Sequence, residues 1–499
     1  MKYQSSRGHC HAVTAAEAIQ RGIAPDGGLF VPDEIPQLNT DILTAMQAWS
    51  YQERACYILQ LYLPEFTAQE INSCVYGAYN QDSFDNEKIA PLTEIESGLN
   101  VLELWHGPTC AFKDMALQIL PRLLTVSTHK TGEEDEIVIL VATSGDTGKA
   151  ALEGFRDVPG TRIIVFYPRD GVSEVQKRQM ITQEGGNVYV AAVNGNFDDA
   201  QNGVKNIFAS AEVIDALAAS QLKMSSANSI NWGRLLPQVV YYVSAYVDLL
   251  AAGKNPGEPV NIVVPTGNFG NILAAYYARE MGIPVNKLIC ASNSNNVLTE
   301  FLMTGVYNRN RHFYKTMSPS MDILISSNLE RLLFNVTGNA EKVNDWMREL
   351  RETGKYKVDN KTQTEIQKIF WADYCNEEET TAAISAVWQK HHYLLDPHTA
   401  VGWNVYGKYT AKTGDRTDTI IASTASPFKF GQSVAEAVLQ PGQFSRAENE
   451  FEILKILADE TGLAVPDGIK NLEHREIRHR TICDTDKMIE TVYKFLKIQ

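Results

Sequence analysis

Lys113 closes the run Trp105-His106-Gly107-Pro108-Thr109-Cys110-Ala111-Phe112-Lys113-Asp114, and the residues after it, Met115-Ala116-Leu117-Gln118-Ile119-Leu120, read as helix. The lysine thus falls near the first turn of a helix, where the aligned backbone dipoles carry partial positive charge and disfavour a cation. Such a site biases it toward the neutral amine, the form that attacks carbonyl carbons and builds Schiff bases. An arbitrary lysine is a solvated surface group. Two anion-holding turns elsewhere in the chain argue otherwise for this one.

The first turn is Thr143-Ser144-Gly145-Asp146-Thr147-Gly148-Lys149, between an apolar run at 137–142 and a helical segment. Glycines there let backbone N–H groups converge on an anion at the helix N-terminus. Gly148-Lys149 invites comparison with a nucleotide P-loop, but Thr143 and Ala150 stand where that motif needs Gly and Ser or Thr. The second turn, Pro265-Thr266-Gly267-Asn268-Phe269-Gly270-Asn271, again joins a strand to a helix and suits a phosphate dianion. The dinucleotide fingerprint GxGxxG is absent from it.

Two further stretches are polar where a ligand would need them. In Ser423-Thr424-Ala425-Ser426-Pro427-Phe428-Lys429-Phe430, hydroxyls at a strand end can meet a ring heteroatom, and Lys429 either meets a second anion or lies on the surface. Ser225-Ser226-Ala227-Asn228-Ser229-Ile230-Asn231-Trp232-Gly233-Arg234 either binds a carboxylate or phosphate through Asn231 and Arg234, or is a polar helix cap.

The elements that position these residues alternate. Apolar runs at 137–142, 163–166, 188–193, 262–264, 288–290 and 420–422 read as strands covered on both faces. Helical segments lie between them at 149–155, 172–184, 197–209, 235–252 and 271–281. The alternation predicts an α/β fold with a parallel, doubly wound sheet or sheets, whose ligands sit beyond the carboxyl ends of the strands. Residues 1–95 form an N-terminal domain with helices at 41–49, 50–61 and after 67. Residues 96–440 form the α/β region, with a polar helical insertion at about 305–395. Residues 441–499 close the chain as a helical segment.

Whole-chain properties narrow the function. A hydrophobic share of 44% and a charged share of 21% are those of a globular protein, and no apolar run is long enough to span a bilayer. The net charge of −15 opposes nucleic-acid binding. Seven scattered cysteines without a CxxC pair argue against a disulfide framework or zinc site, and for a reducing cytoplasm.

Taken together, the lysine, the two turns and the strand-end hydroxyl resemble the fold type II (tryptophan synthase β-like) family of pyridoxal-phosphate enzymes, which implies two doubly wound, mostly parallel sheets, a catalytic region at 96–440 and a mobile small subdomain at about 140–245. Within it, the wording is similar to that of the threonine synthases. The carrying segments are Ala24-Pro25-Asp26-Gly27-Gly28-Leu29, His106-Gly107-Pro108-Thr109 with Phe112-Lys113-Asp114, Ser144-Gly145-Asp146-Thr147-Gly148, the 265–271 turn, Asp396-Pro397-His398-Thr399-Ala400-Val401 and Ser423-Thr424-Ala425. They reach from about residue 3 to about residue 470; Ser426-Pro427-Phe428 departs from the His-Pro-Ala of many relatives.

The resemblance implies that Lys113 holds pyridoxal 5'-phosphate covalently, that Gly267, Asn268, Phe269, Gly270 and Asn271 cradle its phosphate, and that Thr424 meets its pyridine nitrogen. It implies that Ser144, Gly145, Asp146 and Thr147 take the substrate's carboxylate, with Asn231 and Arg234 on its phosphate; His398 is expected to be structural. The implied reaction converts O-phospho-L-homoserine and water to L-threonine and phosphate, by a monomer or homodimer in the cytoplasm. A phospho-lyase releasing 2-oxobutyrate and a serine/threonine dehydratase are the alternatives, and a non-catalytic cofactor-binding protein would not keep the 144–148 loop.

Overall fold

The apolar runs assemble into two sheets. The computed structural model describes residues 1–143, 145–170, 172–440, 442–445 and 447–498. Its larger sheet has the strand order Phe370–Tyr374, Val285–Ser292, Val260–Pro265, Thr419–Ser423, Leu99–Glu103 and Leu92–Glu96. All neighbours are parallel except the last pair, which is antiparallel. The smaller sheet is parallel throughout, in the order Thr481–Asp484, Val188–Asn194, Thr161–Pro168, Glu136–Ala142 and Leu222–Ser225. Strands covered on both faces need apolar side chains at successive positions, which is why these segments do not alternate. In the large sheet Ile421 sits between Val101 and Val263, all three buried.

One helix runs through the middle of the molecule. Trp232–Ala251 is buried at every position from Trp232 to Leu250 except Asp248, as its mostly apolar sequence on all sides demands. It packs against helices Gly270–Glu280, Tyr51–Tyr62 and Asp114–Leu117. The N-terminal helices Ala15–Arg21, Tyr51–Tyr62 and Ala68–Ala78 each begin with a reciprocal capping box, Thr14 with Glu17, Ser50 with Glu53 and Thr67 with Glu70. They cover the central helix: the rings of Tyr3 and Tyr62 lie against Trp232, and Arg54 pairs with Asp248 at 2.6 Å.

Two expectations change. The 305–395 region is more than a helical insertion, because its strand Phe370–Tyr374 forms one edge of the large sheet. The closing segment is not purely helical either: strand Thr481–Asp484 joins the small sheet beside Val188–Asn194. Both strands are short and interrupted by polar residues, so neither shows as an apolar run.

Candidate active site

The four chemistry-bearing turns gather beyond the carboxyl ends of the strands, where open parallel sheets place their ligands. After strand Leu99–Glu103 the chain stays zipped to the end of its neighbour Thr419–Ser423. The Leu104 N–H donates to Ser423 O at 3.0 Å, Phe112 N–H to Thr424 O at 2.8 Å, and Ser426 N–H to Cys110 O at 3.0 Å. This brings Lys113 alongside Thr424. Lys113 is the residue before helix Asp114–Leu117, as expected. Asp114 clamps the preceding loop, its buried carboxylate accepting from the Thr109 N–H at 2.8 Å and the Thr109 hydroxyl at 2.6 Å. Burial pushes the Asp114 carboxyl up to about 6.

The Lys113 amine is 8% exposed and donates to the Ser320 hydroxyl at 3.2 Å. Burial pushes its pKa down to about 8; Asp146 opposes the shift, while Arg234 and Lys429 add to it. Asp146 Oδ2 lies 3.8 Å from Lys113 Nζ and accepts from the Ser320 hydroxyl at 3.1 Å. Its other oxygen lies 2.7 Å from Lys429 Nζ and accepts from Gln176 Nε2 at 2.8 Å. Burial works against the Asp146 charge, but Lys429 and Lys113 hold its carboxyl far below the usual range.

These contacts define the surroundings of two side chains. The Asp146 side chain is an ion partner of two lysines. Lys429 is no surface group: it is fully buried, with its ammonium also donating to Thr109 O at 2.8 Å. Gly145 and Gly148 N–H groups donate to Thr143 Oγ1 at 3.0 and 2.9 Å, shaping the turn. Lys149 pairs with Glu153 at 2.9 Å instead of reaching an anion above the turn. Ser144 lies outside the described residues.

In the second turn, Phe269 takes a left-handed φ of 63° and helix Gly270–Glu280 starts at the next residue. A Cβ on Gly267 would fall 2.6 Å from Ser320 O, so glycine is required there by close approach, whereas one on Gly270 would meet nothing nearer than Asn328 Nδ2 at 3.4 Å. Asn328 holds the loop from outside, its N–H and Nδ2 donating to Asn268 O at 3.2 and 3.1 Å. Asn271 Oδ1 accepts from the hydroxyls of Tyr241 and Tyr242, each at 2.6 Å. Its Nδ2 is a buried donor with no partner among the described residues. Buried polar groups are nearly always paired, so an orphaned donor at a helix start marks a place for an acceptor.

Helix Trp232–Ala251 starts three residues earlier than the periodicity indicates, which puts Arg234 in its first turn. Asn231 is its N-cap: Oδ1 accepts from the Gly233 N–H at 2.9 Å, and Nδ2 donates to Ile19 O at 2.9 Å and Ser226 O at 3.3 Å. Its amide is thus spent on capping, the alternative the sequence had offered. Arg234 differs. It is 6% exposed, donates to Ala227 O at 2.7 Å, and has no carboxylate partner among the described residues. Burial lowers its pKa to about 10.

Ser320 was not foreseen. It lies in a short turn, Pro319–Met321, inside the 305–395 region, and touches Lys113, Asp146 and the edge of Gly267. His398 secures it: the Ser320 N–H donates to His398 Nε2 at 3.1 Å, and His398 Nδ1 lies 2.8 Å from Asp396 Oδ1. That geometry requires the proton on Nδ1 and a neutral imidazole. Nothing about Ser320 in the sequence marks it, because its partners lie far away along the chain.

A buried amine, an orphaned donor at a helix start and a Thr424 hydroxyl without a hydrogen bond among the described residues make a donor set that fits pyridoxal phosphate. Family models match most of the chain: "Threonine synthase N terminus" over residues 2–79, "Pyridoxal-phosphate dependent enzyme" over 89–424 and "Threonine synthase, C-terminal" over 399–492. The chain is 41% identical over 435 residues to Threonine synthase-like 1 of Homo sapiens, which covers 85% of this chain but only 58% of that longer relative. It is 36% identical over 507 residues to Threonine synthase of Schizosaccharomyces pombe, covering 95% of this chain and 96% of the relative. The crystal structure of pyridoxal-phosphate-bound threonine synthase from Brucella melitensis superposes with a TM-score of 0.87 at 36% identity, over 100% of this chain and 99% of that one.

Proposed function

The chain belongs to the threonine synthase family of pyridoxal-phosphate-dependent enzymes, and from that premise we propose that it converts O-phospho-L-homoserine and water to L-threonine and phosphate. One observation carries the reading. Besides the Asn271 donor, the site keeps a second anion-seeking group, the buried Arg234 guanidinium with no carboxylate partner among the described residues. One phosphate belongs to the cofactor, the other to the substrate. A dehydratase of serine or threonine has no use for the second.

The cofactor supplies an electron sink for negative charge developing at the substrate's Cα. Lys113 would hold it covalently through Nζ, and the same nitrogen would take up the Cα proton. An amine that ionises near pH 8 is suited to both accepting and returning a proton at neutral pH. Ser320 keeps that nitrogen in place through its hydroxyl. The 267–271 turn takes the cofactor's phosphate, and Thr424 offers the ring nitrogen a neutral hydroxyl. The substrate's carboxylate is taken at the start of helix Asp146–Phe155, where the backbone dipoles favour an anion. Arg234 binds the substrate's phosphate with a planar fork and stabilises its departure. Burial of Lys113, Asp146 and Lys429 keeps stray water from the reacting carbons.

No helix among the described residues is long and apolar enough to cross a membrane. The cytoplasm is the compartment that fits the scattered free thiols. Product analysis tests the function: incubation of the holoenzyme with O-phospho-L-homoserine should yield threonine and phosphate in equal amounts. Release of 2-oxobutyrate in place of threonine overturns the assignment in favour of a phospho-lyase.

A further inference from the structure

We infer that Tyr241 and Tyr242 make the second turn selective for a phosphate, by fixing the Asn271 amide with its oxygen toward their hydroxyls and its nitrogen left for the ligand. The inference rests on the reading of residues 267–271 as the cofactor's phosphate site. A side-chain amide can present either face, and the two faces have opposite meanings for an anion: Nδ2 donates to it and Oδ1 repels it. Both tyrosine hydroxyls lie 2.6 Å from the same oxygen of Asn271. Each carries one proton, and donating both satisfies the two lone pairs of Oδ1. The nitrogen is then the only polar atom of the side chain without a partner, and it is buried.

Among the described residues nothing else competes for those protons on equal terms. The Tyr241 hydroxyl also lies 3.2 Å from Gln238 Oε1, a longer contact than the one to Asn271. Gln238 is itself held, its Nε2 donating to Arg234 O at 2.8 Å. Both tyrosines are fully buried, and burial raises both phenols well above their ordinary range, so the protons stay on. Residues 234, 238, 241 and 242 have the spacing of a single face of helix Trp232–Ala251. One stripe thus carries the Arg234 guanidinium at one end and the pair that orients Asn271 at the other. Tyr241 and Tyr242 are positioning residues: they act through Asn271.

The test compares pyridoxal 5'-phosphate with pyridoxal, which lacks the phosphate, each titrated by visible absorption into the full chain stripped of cofactor. The variants are Tyr241→Phe, Tyr242→Phe, both together, and Asn271→Ala. With both hydroxyls gone, affinity for pyridoxal 5'-phosphate should fall at least about tenfold, as for a weakened hydrogen bond to a charged group. Affinity for pyridoxal should be unchanged, and each single variant should lie between. A double variant that binds both compounds as the parent does overturns the inference, as does one that loses both equally, which would mark a packing role. Asn271→Ala separates the two layers. If it erases the preference for the phosphorylated compound while the double variant keeps it, the tyrosine inference fails alone. If Asn271→Ala itself keeps that preference, the phosphate-site reading fails and the inference with it.

Discussion

Removing the Lys113 ammonium from water costs more than the carboxylate 3.8 Å away restores, and the balance leaves an amine that ionises near pH 8. That balance can be read directly. In the cofactor-free chain, labelling of Lys113 by an amine-reactive reagent should titrate near pH 8, more than two units below an exposed lysine, as followed by peptide mass spectrometry. Borohydride reduction of the holoenzyme should fix the cofactor on Lys113, and Lys113→Ala should lose both the visible chromophore and turnover. Arg234 permits a complementary experiment. Losing a buried charged partner of a substrate oxyanion costs about 2–4 kcal/mol, roughly 30- to 1,000-fold in kcat/KM. Arg234→Ala should show that loss with cofactor occupancy intact, and Arg234→Lys should recover only part, since an ammonium lacks the fork. Normal kcat/KM with depleted cofactor would instead place Arg234 at the cofactor or in the fold.

The turns behave as elements, not as lists of residues. Gly267 and Gly270 look alike in the sequence, but only Gly267 has a backbone oxygen, that of Ser320, 2.6 Å from where a Cβ would stand. Gly267→Ala should therefore push the Pro319–Met321 turn away and weaken cofactor binding, while Gly270→Ala should leave cofactor affinity within about threefold. Equal losses in a cofactor titration would contradict this division. The strand-to-helix turns were legible because each follows an apolar run and carries glycine, a local signal. The Asp146–Lys429 pair, and Ser320 between Asp146 and Lys113, were not. They join positions on four different turns, and nothing in the neighbouring residues of Lys429 distinguishes a buried ion partner from a solvated lysine. Arg234 was found, but its helical setting was misjudged, because the Asn231 cap lies outside the periodic segment that marked the helix.

At the scale of the whole molecule, the Asp146–Lys429 pair ties the small sheet to the large one, since Asp146 follows strand Glu136–Ala142 and Lys429 follows Thr419–Ser423. A second ionic centre braces the large sheet. His106 has Asp85 Oδ1 at 2.5 Å on one ring nitrogen and Glu103 Oε2 at 2.8 Å on the other. Burial works against its charge, but the two carboxylates lift it from 6.5 to about 9. A folded-state pKa above the unfolded one stabilises fully below about pH 6.5 and is lost as pH rises through about 9. Thermal unfolding should therefore show the parent losing about 3 kcal/mol across that window, and His106→Gln losing little. Parallel pH curves for the two would remove His106 as the cause.

The strand Thr481–Asp484 carries a further consequence, for the order in which the protein comes into being. It lies against Val188–Asn194, and Cys483, Met488, Val492 and Leu496 cover the same apolar face as Val138, Leu140, Ile164 and Phe166. Lys113, the 267–271 turn and Thr424 all leave the ribosome before it. Nascent chains stalled before residue 481 will thus hold every residue assigned to chemistry while one sheet still has an open edge and a flank only partly covered by helix Phe197–Ala209. Such chains should be cut by protease within 188–209 and should be favoured clients of chaperones, and both properties should vanish once residues 481–496 have been released.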